Sequence, residues 1–261
     1  AHRVTWAFVF LLALSGFTKQ LAAVRAALAN RKALVVLAGS TLLIAINWGV
    51  YIYSVISGRM LESSLGYYIN PLVNVLLGVA ILGETLEGPV RVATGLAALG
   101  VLSMASSLGH LPWISVTLAF SFGLYGLLRK LAPVDALSGL LIETLLILPF
   151  AAGFLAMRTL AGQGAFLHTN TTLDLLLVLS GPATAVPLLC FGAAARRLPL
   201  STLGFLQYLS PTIQFLLAVL VYHEPFDRGR LGAFGLIWAA VLVFGVHTAR
   251  RGKAEPVIDA G

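Results

Sequence analysis

The sequence predicts an all-α polytopic membrane protein made of inverted five-helix repeats, with nine helices present and the first of ten missing. Three observations predict it. The 261 residues are 59% hydrophobic and only 10% charged, whereas an average soluble domain carries about 25% charged residues. The apolar residues fall into nine runs close to the roughly 20 residues that cross a bilayer core. A pattern of Gly, Pro, Arg and Glu recurs about 140 residues along the chain.

With mean hydropathy of +0.94, lipid is the solvent that tolerates this composition, because helices satisfy their own backbone there. The nine runs are 4–21, 34–57, 63–83, 90–108, 112–131, 136–160, 173–195, 201–222 and 231–248. Most connections are short and carry Gly, Pro or charge, and the longest are 22–33 and 161–172. No soluble domain fits between the spans. Cys190 is the single cysteine, so no intrachain disulfide forms and no paired-thiol metal site exists. The net charge of +7 reflects basic loops and does not point to nucleic acid.

The basic residues set the orientation. Lys19, Arg25, Arg31, Lys32, Arg91, Arg129, Lys130, Arg196, Arg197, Arg250, Arg251 and Lys253 fall on one side, 12 of the 17 Lys and Arg. Arg3, Arg59, Arg158, Arg228 and Arg230 fall on the other. The positive side faces the cytoplasm, which puts the C-terminus there.

The repeat relates the third span to the eighth. Ser63-Ser64-Leu65-Gly66-Tyr67, Asn70-Pro71-Leu72 and Glu84 correspond to Ser201-Thr202-Leu203-Gly204-Phe205, Ser210-Pro211-Thr212 and Glu224. Pro71 to Pro211 and Glu84 to Glu224 are each 140 residues; Gly66 to Gly204 and Arg59 to Arg197 are each 138. An insertion of two residues accounts for the difference. The copies lie five spans apart, so they cross the membrane in opposite directions, as in many secondary transporters. The halves are 1–109 and 110–249, followed by a cytoplasmic tail at 250–261. Span 112–131 has no counterpart 140 residues earlier, so a tenth helix is expected ahead of Ala1.

Polar residues inside spans are the functional candidates, since lipid gives them no partner. Asn47 and Tyr51 share a helix face at i,i+4, with Trp48 beside them. Tyr67, Asn70 and Asn74 share a face of the third span, and Gln207, Ser210 and Gln214 the matching face of the eighth. With Trp6 and Tyr125, these are the expected substrate-cavity residues; bonding between helices is the structural alternative. Pro71 and Pro211 each remove a backbone donor and are expected to bend their helices. Glu143 is the acidic residue inside a span. Loss of water favours the neutral form of a carboxylate, so it is a candidate for proton coupling. Arg3 lies 140 residues earlier, and the two are expected to pair or share a polar network. Glu84 and Glu224 read as residues that stop their spans, with a gate as the alternative. Tyr125 and Arg129 share a helix face, with Arg129-Lys130 read as a topology signal.

Catalytic motifs such as G-x-x-x-x-G-K, G-x-S-x-G and H-E-x-x-H are absent, and the five scattered histidines suggest no metal site. No catalytic residue, cofactor or metal is expected. The expected partners are the lipid bilayer and a small-molecule substrate. A homodimer is compatible with the sequence, which does not demand one.

The run Asn47-Trp48 followed by Met60-Leu61-Glu62-Ser63-Ser64-Leu65-Gly66-Tyr67-Tyr68-Ile69-Asn70-Pro71-Leu72-Val73-Asn74 closely resembles the RarD branch of the EamA-like drug/metabolite transporters. So do Ala119-Phe120-Ser121-Phe122-Gly123-Leu124-Tyr125-Gly126-Leu127, Leu141-Ile142-Glu143-Thr144, Val186-Pro187-Leu188-Leu189-Cys190-Phe191 and Leu200-Ser201-Thr202-Leu203-Gly204-Phe205. The resemblance covers essentially the whole chain, and His2-Arg3-Val4 resembles the start of that family's second helix. It implies a ten-helix inner-membrane carrier with two inverted halves, labelled as a permease or chloramphenicol-sensitivity protein. The expected function is secondary transport of a metabolite or drug by alternating access, through a polar cavity between the halves. The rivals are a non-transporting scaffold or sensitivity factor and an intramembrane enzyme, which would need a catalytic cluster at one depth.

The orientation is testable with fusions after Gly261. A fluorescent protein there is expected to fluoresce and alkaline phosphatase to stay inactive; an active phosphatase would invert the topology.

Overall fold

The computed structural model describes residues 1–106, 110–220 and 231–254. All regular structure among them is helical: α1 (His2–Phe17), α2 (Leu21–Ala29), α3 (Arg31–Ile56), α4 (Met60–Leu82), α5 (Gly88–Ser106), α6 (Trp113–Leu131), α7 (Ala136–Leu160), α8 (Thr171–Arg197), α9 (Leu200–Gln207), α10 (Leu209–Leu220) and α11 (Leu231–Ala254). Seven of these are long and apolar enough to cross a membrane, or eight spans if α1 and α2, bent by 114°, form one. The chain is thus an all-α multi-pass membrane protein.

Two elements differ from the sequence expectation. The segment expected to connect the first two spans contains the helix α2, whose Val24 and Ala27 are buried. The eighth span is divided at Tyr208 into α9 and α10. Pro211 explains the division: it has no N–H to donate to the carbonyl of Gln207, four residues back, and its ring crowds that carbonyl. Pro71, in contrast, lies inside the continuous helix α4.

Local chemistry sets the other boundaries. Asp135 caps α7 by accepting from the Ser138 amide at 2.9 Å, and Asn170 caps α8 through the Leu173 amide at 2.7 Å. Partial burial opposes the Asp135 carboxylate, but hydrogen bonds from Ser138 and Leu137 outweigh it and hold the group below the usual carboxylate range. Lys130 Nζ donates to the carbonyls of Leu198 at 2.6 Å and Ala195 at 3.3 Å, closing the end of α8. Gly83, at φ 68°, ends α4 in the left-handed region, and the Glu84 amide turns back to the Gly78 carbonyl at 2.9 Å.

The chain forms two compact units, with boundaries inside α3 and α6. One comprises residues 1–46 and 124–198, the other 47–123 and 199–261. The first unit packs α1 against α7 and α8 around Leu11, Leu37, Leu141, Ile142 and Ala185. At Gly181 of α8, an added Cβ would collide with the Trp6 backbone. The second unit packs α4 against α9 and α5 against α11 around Tyr68, Ala93, Ala97, Phe205, Tyr208 and Ile237. A Cβ on Gly100 would lie 2.8 Å from the Ala233 carbonyl, and one on Gly204 2.7 Å from that of Pro71. Small residues at such contacts suit helices that associate in lipid without a hydrophobic driving force.

Gly204→Ala is therefore expected to destabilise the protein by about 1–3 kcal/mol through overpacking, because the neighbouring atoms are backbone. Gly95→Ala, where nothing stands within 4 Å, is the control. The melting temperatures of both variants in detergent check the contrast; equal melting would contradict the packing.

Candidate functional sites

The first unit buries an ionic cluster. Glu143, two turns into α7, is 1% exposed, and Arg129 of α6 is also 1% exposed. The carboxylate accepts from Ser40 Oγ of α3 at 2.5 Å and from Tyr125 Oη of α6 at 3.2 Å. Arg129 Nη1 stands 3.5 Å from Glu143 Oε1, beyond the 2.7–3.2 Å range of a good N–H···O bond. Arg129 Nη2 donates to the Ala136 carbonyl at 2.9 Å. Nε and Nη1 make no hydrogen bond among the described residues. The guanidinium lies against two glycines: a Cβ on Gly139 would collide with it, and one on Gly192 would come within 3.0 Å of Nη2. Tyr125 is fully buried and stacks on Phe191 with ring centroids 6.0 Å apart.

The cation beside Glu143 is thus Arg129, which sequence reading takes for a topology signal. Arg3, the partner expected from the repeat, lies in the first turn of α1 between His2 and Trp6. Those two rings pack on Phe166, in the connection beyond the far end of α7. Sequence reading also misses Ser40, whose only signal is a polar Gly39-Ser40-Thr41 step in an apolar span. The i,i+4 relation of Tyr125 to Arg129 is the signal that could have found the guanidinium.

The second unit holds an amide cluster. Asn70 Nδ2 and Asn74 Nδ2, one turn apart on α4, both donate to Gln207 Oε1 of α9, the latter at 3.3 Å. Asn74 is fully buried and Asn70 is 6% exposed. Asn70 Oδ1, Asn74 Oδ1 and Gln207 Nε2 have no hydrogen-bond partner among the described residues. Two acceptors and one donor are therefore unmet within the cluster. Unmet buried polar atoms are costly, and in a native structure they call for a function.

The other candidates divide. Asn47 spends both amide hydrogens on α6, on the Leu118 carbonyl and on Ser121 Oγ, each at 3.0 Å; it ties helices together. Tyr51 and Tyr67 are exposed and meet edge to face at 6.3 Å. Ser210 is exposed, Trp48 half-buried, and Trp6 is packed against Gly181 and Phe166. Pro71 is buried beneath Gly204. The Gln214 side chain and all of Glu224 lie outside the described residues.

Glu84, expected to stop its span or to gate, caps α9. Its carboxylate accepts from the Leu200 amide at 2.6 Å, the Ser201 amide at 3.0 Å and Ser201 Oγ at 2.8 Å. A cleft of about 460 Å³ opens beside it, lined among others by Glu84, Glu87, Thr202 and His247; His247 Nε2 lies 2.9 Å from Glu87 Oε2. Among the described residues, no three His, Cys, Asp or Glu side chains are grouped as metal ligands.

No family model matches the chain. A solved crystal structure superposes over the whole chain and 88% of its own length, with a TM-score of 0.65 and 17% identity, a likeness of fold alone. An uncharacterised transporter of Pseudomonas aeruginosa is 48% identical over 255 residues, covering 98% of this chain and 86% of its own. The protein RarD of Escherichia coli is 43% identical over 253 residues, covering 96% of this chain and 86% of its own. With that identity along nearly its full length, and with the membrane helices described above, the chain belongs to the RarD family of transporters.

Proposed function

We propose that this transporter is a secondary active carrier of small molecules that works by alternating access and couples transport to protons through Glu143. The observation that carries the reading is the setting of Glu143. It is buried, both its oxygens accept from neutral hydroxyls, and its cation stands beyond hydrogen-bonding distance. A carboxylate so held can exchange its ionic partner for a proton with little rearrangement. A purely structural pair would gain more from direct bidentate contact. The repeat supports alternating access, since two related halves in opposite orientation can pack in two nearly equivalent ways. The amide cluster supports substrate binding, because its unpaired acceptors and donor match a small polar molecule.

Proteoliposomes give the test, with labelled small metabolites screened by counterflow and then by uptake under a pH gradient. Glu143→Gln is expected to cut gradient-driven accumulation at least tenfold while counterflow persists. Unchanged accumulation and pH dependence would sink coupling through this group. Asn74→Ala and Gln207→Ala, each removing a hydrogen bond of about 1 kcal/mol, are expected to raise the half-saturating substrate concentration roughly five- to tenfold. Half-saturation equal to the parent's would remove the amides from the binding site.

A further inference from the structure

We propose that Arg129 is the binding residue for a carboxylate on the substrate, and that this carboxylate takes the place of Glu143 when Glu143 accepts a proton. The inference rests on the transport reading above and names the substrate class.

Charge balance drives it. With Glu143 ionised, the Arg129–Glu143 cluster is neutral. A proton from solution bonds to a Glu143 carboxylate oxygen and leaves the cluster at +1, buried and away from water. A buried charge must be paired. The groups facing Glu143 from neighbouring helices are Ser40, Tyr125 and Arg129, none of which supplies an anion. Elsewhere on the helices packed against α7, Arg25, Arg196 and Arg197 are exposed. Asp174 accepts from the Leu167 amide at 2.8 Å, in the connection beyond the far end of α7. Arg3 is a cation. Asp135, at the head of α7, is held by the Ser138 amide at 2.9 Å, so the compensating anion comes from outside the cluster.

Arg129 is built to receive one. Guanidinium carries five N–H donors in a planar fork, and here only Nη2 is engaged by a hydrogen bond, leaving Nε and Nη1 without one. Gly192 lies against Nε and Nη2, and Gly139 against Nη1; the missing Cβ atoms give the guanidinium itself room there. A carboxylate binds bidentately to a fork made by the second N–H of Nη2 with either Nε or Nη1, whereas a neutral carboxamide cannot supply the missing charge. One carboxylate thus moves with one proton.

The test uses the full chain in detergent micelles, with acetate and benzoate as probes, acetamide and benzamide as their neutral counterparts, and thermal stability at constant ionic strength as the readout. The parent is expected to bind the carboxylates more tightly at pH 5.5 than at pH 8. Glu143→Gln, which imitates the protonated state, is expected to bind them at least tenfold more tightly than the parent at pH 8, with the pH dependence gone. Adding Arg129→Gln removes both charges together, so no lone buried charge is left, and is expected to abolish carboxylate binding. Equal stabilisation by carboxamides, no carboxylate effect in Glu143→Gln, or carboxylate binding that survives the double substitution would each overturn the proposal. Binding is read without flux: carboxylate binding without uptake overturns the transport reading alone, and proton-driven uptake without carboxylate binding overturns the anion site alone.

Discussion

Two opposite charges buried between α6 and α7 organise the first unit. Desolvating a carboxylate and a guanidinium costs several kcal/mol per ion, and the surrounding helices are shaped to offset that cost. Ser40 comes from α3 and Tyr125 from α6 to bind the carboxylate, while the Ala136 carbonyl at the start of α7 binds the guanidinium. α7 and α8 present glycines where a Cβ would strike it. The next residue, Lys130, closes the end of α8. Removing either charge alone leaves the other without its ionic partner.

Among its described residues the second unit has no ion pair buried on both sides (Arg59, paired with the buried Glu62, is partly exposed), and close backbone approach holds its helices. Gly204 lets α9 sit on the Pro71 carbonyl. The hydroxyl of Tyr68 reaches the Pro211 carbonyl at 3.4 Å, and that of Tyr208 reaches the Tyr68 carbonyl at 3.2 Å. Three of the packed pairs are also related by the 140-residue spacing: α1 with α7, α4 with α9, and α5 with α11. Each unit thereby draws on both halves of the sequence.

The membrane helices were legible because spanning hydrocarbon leaves a simple mark, a long apolar run. α2 was not, because a nine-residue helix carrying Arg25 and flanked by Arg31 and Lys32 looks like a charged connection. Glu143 was legible because an acid in a span stands out, but its partner was not. Pairing Arg129 with Glu143 depends on how α6 and α7 return past each other, and the position of Arg129 beside Lys130 mimics a boundary signal. The amides show the same limit. Asn47 and Asn70 look alike in sequence; only the fold shows that Asn47 has spent its donors while Asn70 and Asn74 crowd one acceptor.

The Glu84 cap has a mechanical consequence. α9 is only eight residues long, yet it is fastened to α4 at three heights: Glu84 grips its first amides, Gly204 presses on Pro71, and Gln207 takes the two asparagine amides. A segment bolted along its whole length to a neighbour cannot slide on it. α4 and α9 are therefore tied as one block, and the break at Tyr208, ahead of Pro211, is where α10 leaves it.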